Sequence, residues 1–542
     1  MLAKDRSDFP WFVPRSFVLA LPLALSAISV LAEESNFPKQ DLVLWLDAAD
    51  TSTLKIDADQ VLQWDDKSGH DHHAVASTQN RPLLISGDGP MVRFTPGDTP
   101  TPLHTPVLFP ETSPVTVFVV SQRGEEQADR GDWQRLLSAR EPDNKDHLGN
   151  GIAMTLTPRG KGHGFPAAIY SSFKDSVASL PMTLGTTAPG QPGGGLKADV
   201  AEILIYNRAF SDPSEFEAVQ DYLAQKWNVD AARDAGGWTR EGDTPPSLTH
   251  TTTDAPLFDQ ANATGWQPYP AMTDEFDGDS LDQEKWWDHY PSWHGRAPAR
   301  FLPENIKVAD GMLQLTLRKD DSLPREKLHA DNDADYYGYS AAAVVSKTAL
   351  TYGCFEVRIR PAHATCTSSW WFNGGATNED GVERRTELDV FELPAGAKGF
   401  EKKFGMNMHI FKEPETSEHW SNWGNWYAPF AWSEDFHTVN FVWSPNWIRY
   451  YVDGHCVRTT RNVAWHVPLQ MIFDMEIMSW LPFPDDSEFP AHYKIDYVRA
   501  WTHPDWKGDP QWTPKPDPSK PSNITEAVRK LTAQRQADQS PQ

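Results

Sequence analysis

Short apolar runs with a two-residue beat dominate the polarity pattern. In the first half they include Val115-Thr116-Val117-Phe118-Val119-Val120 and Ala201-Glu202-Ile203-Leu204-Ile205-Tyr206. In the second half they include Met312-Leu313-Gln314-Leu315-Thr316-Leu317, Phe355-Glu356-Val357-Arg358-Ile359, Val439-Asn440-Phe441-Val442-Trp443 and Ile495-Asp496-Tyr497-Val498. Turn residues separate the runs, and this pattern predicts half-buried strands of all-β sandwiches. Helical spacing is rare. Phe216, Val219, Tyr222, Leu223 and Trp227, behind a capping Ser211, predict one helix at the end of the first strand-rich region. The polar stretch Thr525 to Gln536 is compatible with a lone second helix.

At 542 residues the chain is long for one domain. Residues 1–32 have the form of a signal peptide, with Arg15 ahead of the apolar run Phe17 to Ala32 and small residues before Glu33. That run is shorter than the ~20 residues of a usual membrane span, so the expectation is a protein secreted to the extracellular or periplasmic space, with no membrane partner after cleavage. The first β-sandwich is expected over residues 40–230. Gly, Pro, Thr and Asp then mark a linker over 231–265 with little regular structure. A second sandwich is expected over 266–503, followed by a polar tail over 504–542.

Charge and cysteine usage narrow the function. The net charge is -26 and no long basic run exists, so a surface that tracks nucleic-acid phosphates is not expected. Cys354, Cys366 and Cys456 allow at most one disulfide, which excludes a disulfide scaffold. The 23 tryptophans suit the apolar faces of sugar rings, although core packing competes for them. There is no H-E-x-x-H zinc motif, no G-x-S-x-G elbow and no phosphate-binding glycine loop; Gly160, Gly162 and Gly164 read as an ordinary turn.

The sharpest signal is Glu387-Leu388-Asp389-Val390-Phe391-Glu392. On a regular strand Glu387 and Asp389 share a face and Glu392 points away. A β-bulge around Val390-Phe391 returns Glu392 to their face, so three carboxyls line one side. Glycoside hydrolysis uses such a set: one carboxylate attacks the anomeric carbon and a protonated carboxyl releases the leaving sugar. Asp389, between them, can orient Glu387 and help to hold a proton, and the three are expected to titrate together.

Two family resemblances rest on particular residues. Trp45-Leu46-Asp47-Ala48, Trp64-Asp65-Asp66-Lys67-Ser68-Gly69, Arg81-Pro82, Ala201-Glu202, Asn207-Arg208, Tyr222-Leu223 and Lys226-Trp227 resemble the concanavalin-like, laminin-G-like jelly rolls found beside bacterial carbohydrate enzymes. That module would bind sugar or serve as a spacer. The acid triplet resembles the bulged signature of glycoside hydrolase family 16. Around it the likeness extends to Asp274-Glu275-Phe276, Lys285-Trp286, Tyr352-Gly353-Cys354-Phe355-Glu356-Val357-Arg358 and Ile495-Asp496-Tyr497-Val498-Arg499.

The resemblance implies that Glu387 is the nucleophile, Asp389 the assisting acid and Glu392 the acid/base. Trp293-His294-Gly295-Arg296, Phe301-Leu302-Pro303-Glu304-Asn305 and Phe473-Asp474-Met475-Glu476 resemble the agarase and porphyranase branch. By position Trp293, Arg296, Asn305, His409 and Glu476 would then contact sugar. In Ser368-Ser369-Trp370-Trp371-Phe372 alternation puts one tryptophan in the cleft, and that one is expected to be Trp370. Asn422, Trp423, Trp426 and Tyr427 either border the groove or fill the core. No cofactor is implied for catalysis. A structural calcium at Asp496 and the Gly311 backbone is implied by the family likeness, and oxygen ligands suit that ion. The expected substrate is a β-linked red-algal galactan polysaccharide. A carrageenan, a β-1,3-glucan and a lectin-like protein without activity remain the alternatives.

Overall fold

The computed structural model describes residues 247–507, apart from 329–333, 380–381, 414–418 and 463, and residues 522–539. In the N-terminal half it describes 37–77, 80–86, 89–95, 101–111, 114–123, 135–138, 153–155, 167–175, 181–185, 198–208, 210, 213–227 and 231–235. The signal-peptide segment, the turn at Gly160 to Gly164 and residues 236–246 of the expected linker lie outside the described residues. Among the described residues the molecule is built from strands, with two α-helices: α1 (Pro213–Trp227) and α2 (Asn523–Gln539). None of these helices is long and apolar enough to cross a membrane.

In the N-terminal half, strand Pro114–Arg123 pairs antiparallel with both Ala198–Tyr206 and Ala167–Asp175. The residues that resemble the laminin-G-like pattern meet in one buried ionic network. Glu202 accepts from Trp45 Nε1 at 2.7 Å and Trp227 Nε1 at 2.6 Å. Lys226 lies 2.9 Å from Glu202 and 2.8 Å from Asp47, and Lys67 closes the set on Asp47 at 2.8 Å. Buried charges persist only when paired in this way, so this part of the pattern joins α1 to the sheet.

The second half is a sandwich of two antiparallel sheets. We label its principal strands β1 (Ile306–Ala309), β2 (Met312–Lys319), β3 (Ala343–Leu350), β4 (Gly353–Arg360), β5 (Thr367–Glu379), β6 (Val382–Leu393) and β7 (Lys403–Glu413). They continue as β8 (His419–Ser421), β9 (Gly424–Tyr427), β10 (His437–Trp443), β11 (Trp447–Val452), β12 (His455–Arg461), β13 (Leu469–Glu476) and β14 (Ala491–Thr502). One sheet runs β3-β13-β5-β6-β7-β8, and the other runs β2-β14-β4-β10-β11-β12 with β1 on β2. Alternation turns Leu313, Leu315, Leu317, Val357 and Ile359 of the second sheet toward Trp370, Phe372, Leu388 and Phe473 of the first. Trp370 is fully buried there and stacks on Phe473 at 6.1 Å. The expectation that Trp370 faces the cleft is therefore wrong; alternation gives that place to Trp371.

The two halves touch. Arg449 on β11 donates two hydrogen bonds, 2.6 and 2.7 Å, to Glu217 on α1, and Arg461 pairs with Asp221. Phe216, Val219 and Leu223 of α1 share an apolar cluster with Val442, Tyr451 and Cys456. The expected linker is also more ordered than its composition suggests. Ala231–Ala235 forms a strand beside Ala167–Asp175, and residues from Leu248 onward pack on the second sandwich. There His250 Nε2 lies 2.7 Å from the fully buried Glu356, which also accepts from the Leu257 amide at 2.7 Å. The tail is docked as well: Thr525 of α2 meets His289 at 2.9 Å, and Arg535 holds Glu304 and Asp320. All three cysteines are free and buried.

Glu356 gives this packing a measurable consequence. Its hydrogen bond raises the His250 pKa, so His250 contributes stability below its unfolded value near 6.5 and loses it as pH rises through the folded value. His250→Ala is expected to destabilise the protein by about 2 kcal/mol at pH 6 and by less at pH 9, as read by urea unfolding. A second-half fragment starting at residue 261 lacks both His250 and Leu257, and should melt below one starting at residue 247.

Candidate active site

The site is built on β6. Opposite β7, Asp389 pairs with Asn407 but Glu392 pairs with Gly405, and opposite β5 the register also shifts between Phe391 and Asp389. Two successive residues, Val390 and Phe391, both turn into the core with no exposure. This is the expected bulge, and it places Glu387, Asp389 and Glu392 on the face away from the core.

The neighbours on that face come from flanking strands. Asn373 on β5 donates to Glu387 Oε2 at 2.6 Å. His409 on β7 stands opposite Glu387, and its Nε2 lies 3.0 Å from Asp389 Oδ2. Its other ring nitrogen lies 2.6 Å from His419 Nε2. Glu476 on β13 is buried and accepts from Arg296 Nε at 2.8 Å. Asp474, two residues earlier on the same face, accepts from Trp371 Nε1 at 3.2 Å. Trp371 stacks against Tyr290 at 5.7 Å and meets Trp293 edge-on at 6.5 Å, while the Arg296 guanidinium lies 5.7 Å from the Trp293 ring.

Of the sugar-contact residues expected from sequence, Trp293, Arg296, His409 and Glu476 thus join the acid triplet. Asn305 does not. It is buried, donates to the Ala341 carbonyl at 2.9 Å, and lines a groove beside the other sheet. The second aromatic cluster divides: Asn422 and Trp426 are buried, whereas Trp423 and Tyr427 are exposed. Sequence reasoning missed Asn373, Asp474, Trp371, Tyr290 and His419. The two-residue period held the signal for the first three, since Trp371 with Asn373, and Asp474 with Glu476, alternate onto one face. Tyr290 and His419 are brought in by tertiary packing.

Five carboxyls, Glu387, Asp389, Glu392, Asp474 and Glu476, stand against the guanidiniums of Arg296 and Arg385. Burial is the first cause that pushes each carboxyl upward, and Glu387 reaches about 8. Asp389 raises Glu387 and Glu392 further, and Glu476 raises Asp389, Glu392 and Asp474. His409 and Arg385 pull Glu387 down, whereas Arg296 acts on Asp389, Glu392 and Glu476. Burial pushes His409 down against the pull of Glu387 and Glu392. The set therefore retains protons at neutral pH and titrates collectively.

The ligand atoms of Glu387, Asp389 and His409 lie within 4.8 Å of one another, close enough for a metal ion. The bonds from Asn373 and His409 already engage two of those carboxylates. The implied calcium pair fares differently. Arg358 donates to Asp496 Oδ2 at 2.6 Å, and Gly311 turns at φ +70° near Asp277. Asp496 is thus matched by a guanidinium, whereas calcium takes a cage of several oxygens.

The second half of the chain is similar to known proteins. The family profile described as Beta-porphyranase A-D, GH16 domain, matches residues 266–503. Residues 266–503 are a glycoside hydrolase family 16 domain. Beta-porphyranase B of Zobellia galactanivorans is 27% identical over 253 residues, covering 44% of this chain and 84% of that protein. A beta-agarase of Phocaeicola plebeius is 26% identical over 263 residues, covering 43% and 81%. The crystal structure of porphyranase B from Zobellia galactanivorans covers 44% of this chain and 92% of its own, at 26% identity and a TM-score of 0.39. The family 16 domain makes the protein a hydrolase of O-glycosyl bonds.

The raised carboxyls of this domain set a pH dependence of stability. A carboxyl with a folded pKa above its unfolded value, near 4.3 for Glu, favours folding at low pH and loses that contribution as pH rises through the folded value. The melting temperature should therefore fall between pH 5 and pH 9. Glu387→Gln should flatten the fall, because one titrating group is gone. An unchanged slope in a thermal-shift series would contradict the assignment of buried protons to this cluster.

Proposed function

We propose that the protein is a secreted, retaining endo-glycosidase that hydrolyses β-linked galactans of the agarose and porphyran type. The observation that carries this reading is the bulged strand with Glu387, Asp389 and Glu392 on one face, beside Trp293, Trp371 and the Arg296–Glu476 pair. The relatives named as porphyranases and agarases support the choice of polymer. A lectin-like reading gains nothing from three mutually repelling carboxyls kept in one cleft.

In this reading Glu387 attacks the anomeric carbon while Glu392 gives its proton to the departing oxygen. A covalent glycosyl-enzyme forms at Glu387. Glu392 then takes a proton from water, and the resulting attack releases the sugar. The surroundings divide these roles. Asn373 donates to Glu387, and Arg385 and His409 favour its anion against burial and Asp389, which suits Glu387 to the part of nucleophile. Burial, Asp389 and Glu476 raise Glu392 against His409 and Arg296, which suits it to the part of proton donor. Asp389 is held by His409 and tunes both. Trp293 and Trp371 offer apolar ring faces to sugar, and Arg296 donates to hydroxyl or sulfate oxygens.

Purified protein incubated with agarose, porphyran, carrageenans and laminarin should release oligosaccharides fastest from agarose or porphyran; faster release from a carrageenan or from laminarin would overturn the substrate assignment. Glu387→Gln should lower kcat by at least 10³-fold while binding persists, since the amide keeps the shape without the charge. Asp389→Asn should cost less. It removes a negative neighbour that raises the Glu392 pKa, so the basic limb of the kcat/KM profile should move to lower pH. A shift to higher pH would contradict the coupling.

A further inference from the structure

The outer face of the second sheet is covered at one end by α1 and the segment from residue 248, and at the other end it carries a row of basic side chains. Register places Lys307 on β1 opposite Gln314 on β2, Gln314 opposite Lys494 on β14, and Lys494 opposite Arg360 on β4. With strands about 4.8 Å apart, the row spans roughly 14 Å. Two residues along β2 from Gln314, Thr316 stands opposite His492, and Arg318 follows. Alternation with the core residues Leu313, Leu315, Leu317, Ile359 and Ile495 turns all of them outward, on the opposite sheet from Glu387.

This grouping works against folding. Lys494 and Arg360 are like charges directly across a strand pair, an arrangement that destabilises a sheet. The positive field is felt locally: besides burial, Lys494 and Arg318 push the His492 pKa down. Nearby acids are committed elsewhere, Glu304 to Arg535, Asp486 to Lys319 and Asp496 to Arg358. Asp310 stands at the rim. Among the described residues Lys307, Lys494 and Arg360 have no ion-pair partner. A groove of about 480 Å³ opens beside the row, lined in part by Lys307, Arg318, His492 and Phe489, a volume suited to small sugar-sized ligands. At its wall, Arg318 Nε and Asn305 Oδ1 are buried without a hydrogen-bond partner.

We propose that this face is a second polysaccharide-binding site, which holds a sulfate-bearing segment of galactan away from the catalytic cleft. Lys307, Lys494, Arg360 and Arg318 supply cations for sulfate esters, and Phe489 supplies an apolar surface for a ring. The identity of the polymer rests on the galactan reading above; the recognition of sulfate does not. A chain held here keeps other stretches of the same polymer near the cleft and raises their effective concentration.

The test uses the full chain with Glu387→Gln, so that polymer is not consumed, with and without Lys307→Gln and Lys494→Gln together. Retardation in native gels containing porphyran should weaken at least fivefold in the double variant, and retardation by agarose should not change. In the background with Glu387 intact, kcat/KM on short unsulfated oligosaccharides should also be unchanged. Parental retention in porphyran should fall as salt rises. Equal retardation of parent and variant, equal loss on agarose, or parental retention by double-stranded DNA as strong as by porphyran would overturn the proposal. The single variants Lys307→Gln and Lys494→Gln, each expected to give an intermediate loss, serve if the double variant does not fold. A parent that cleaves no galactan yet loses porphyran retention with these lysines would sink the galactan reading and leave the sulfate site standing.

Discussion

The bulge at Val390 and Phe391 is the constraint on which the site depends. Without it, β6 would send Glu392 into the core, and an unpaired carboxyl there would cost several kcal/mol. With it, two consecutive apolar side chains enter the core and the third acid emerges beside the first two. The apolar side of the strand thus holds the acidic side in place. Trp370, stacked on Phe473 beneath the bulge, helps to fix its shape.

The electrostatics follow from that geometry. Acids gathered on a half-buried face repel one another, and the protein answers with few cations, Arg296 against Glu476 and Arg385 near Glu387, and with the His409 ring against Asp389. The balance leaves protons in the cluster and gives each carboxyl different neighbours. Chemically similar groups can then take different parts in one reaction. The same economy of cations makes the basic row on the opposite sheet stand out.

Much of this was legible in the sequence, and the reasons differ by residue. The all-β class and the sandwich core followed from the two-residue apolar beat. The triplet was legible because a sequence with acids at 387, 389 and 392 can share one face only through a bulge. Trp370 was misassigned because period alone fixes that two adjacent tryptophans point opposite ways and says nothing of which way is in. Asn305 was carried over by family position, while its local packing binds it to Ala341. The order beyond residue 248 was hidden because His250 and Leu257 are held by a buried partner, Glu356, about a hundred residues away, and composition carries no trace of such a contact. The docked C-terminal helix was hidden for the same reason, through His289 and Glu304.

In the proposed reading the bulge sets Glu387 to attack the sugar directly, with Glu392 as the proton donor. Direct attack followed by hydrolysis inverts the anomeric centre twice and so restores it. Proton NMR of the first products formed from a β-linked galactan measures this most directly. The new reducing end is expected to be the β anomer at first and to mutarotate toward equilibrium afterwards. An initial α anomer would contradict it.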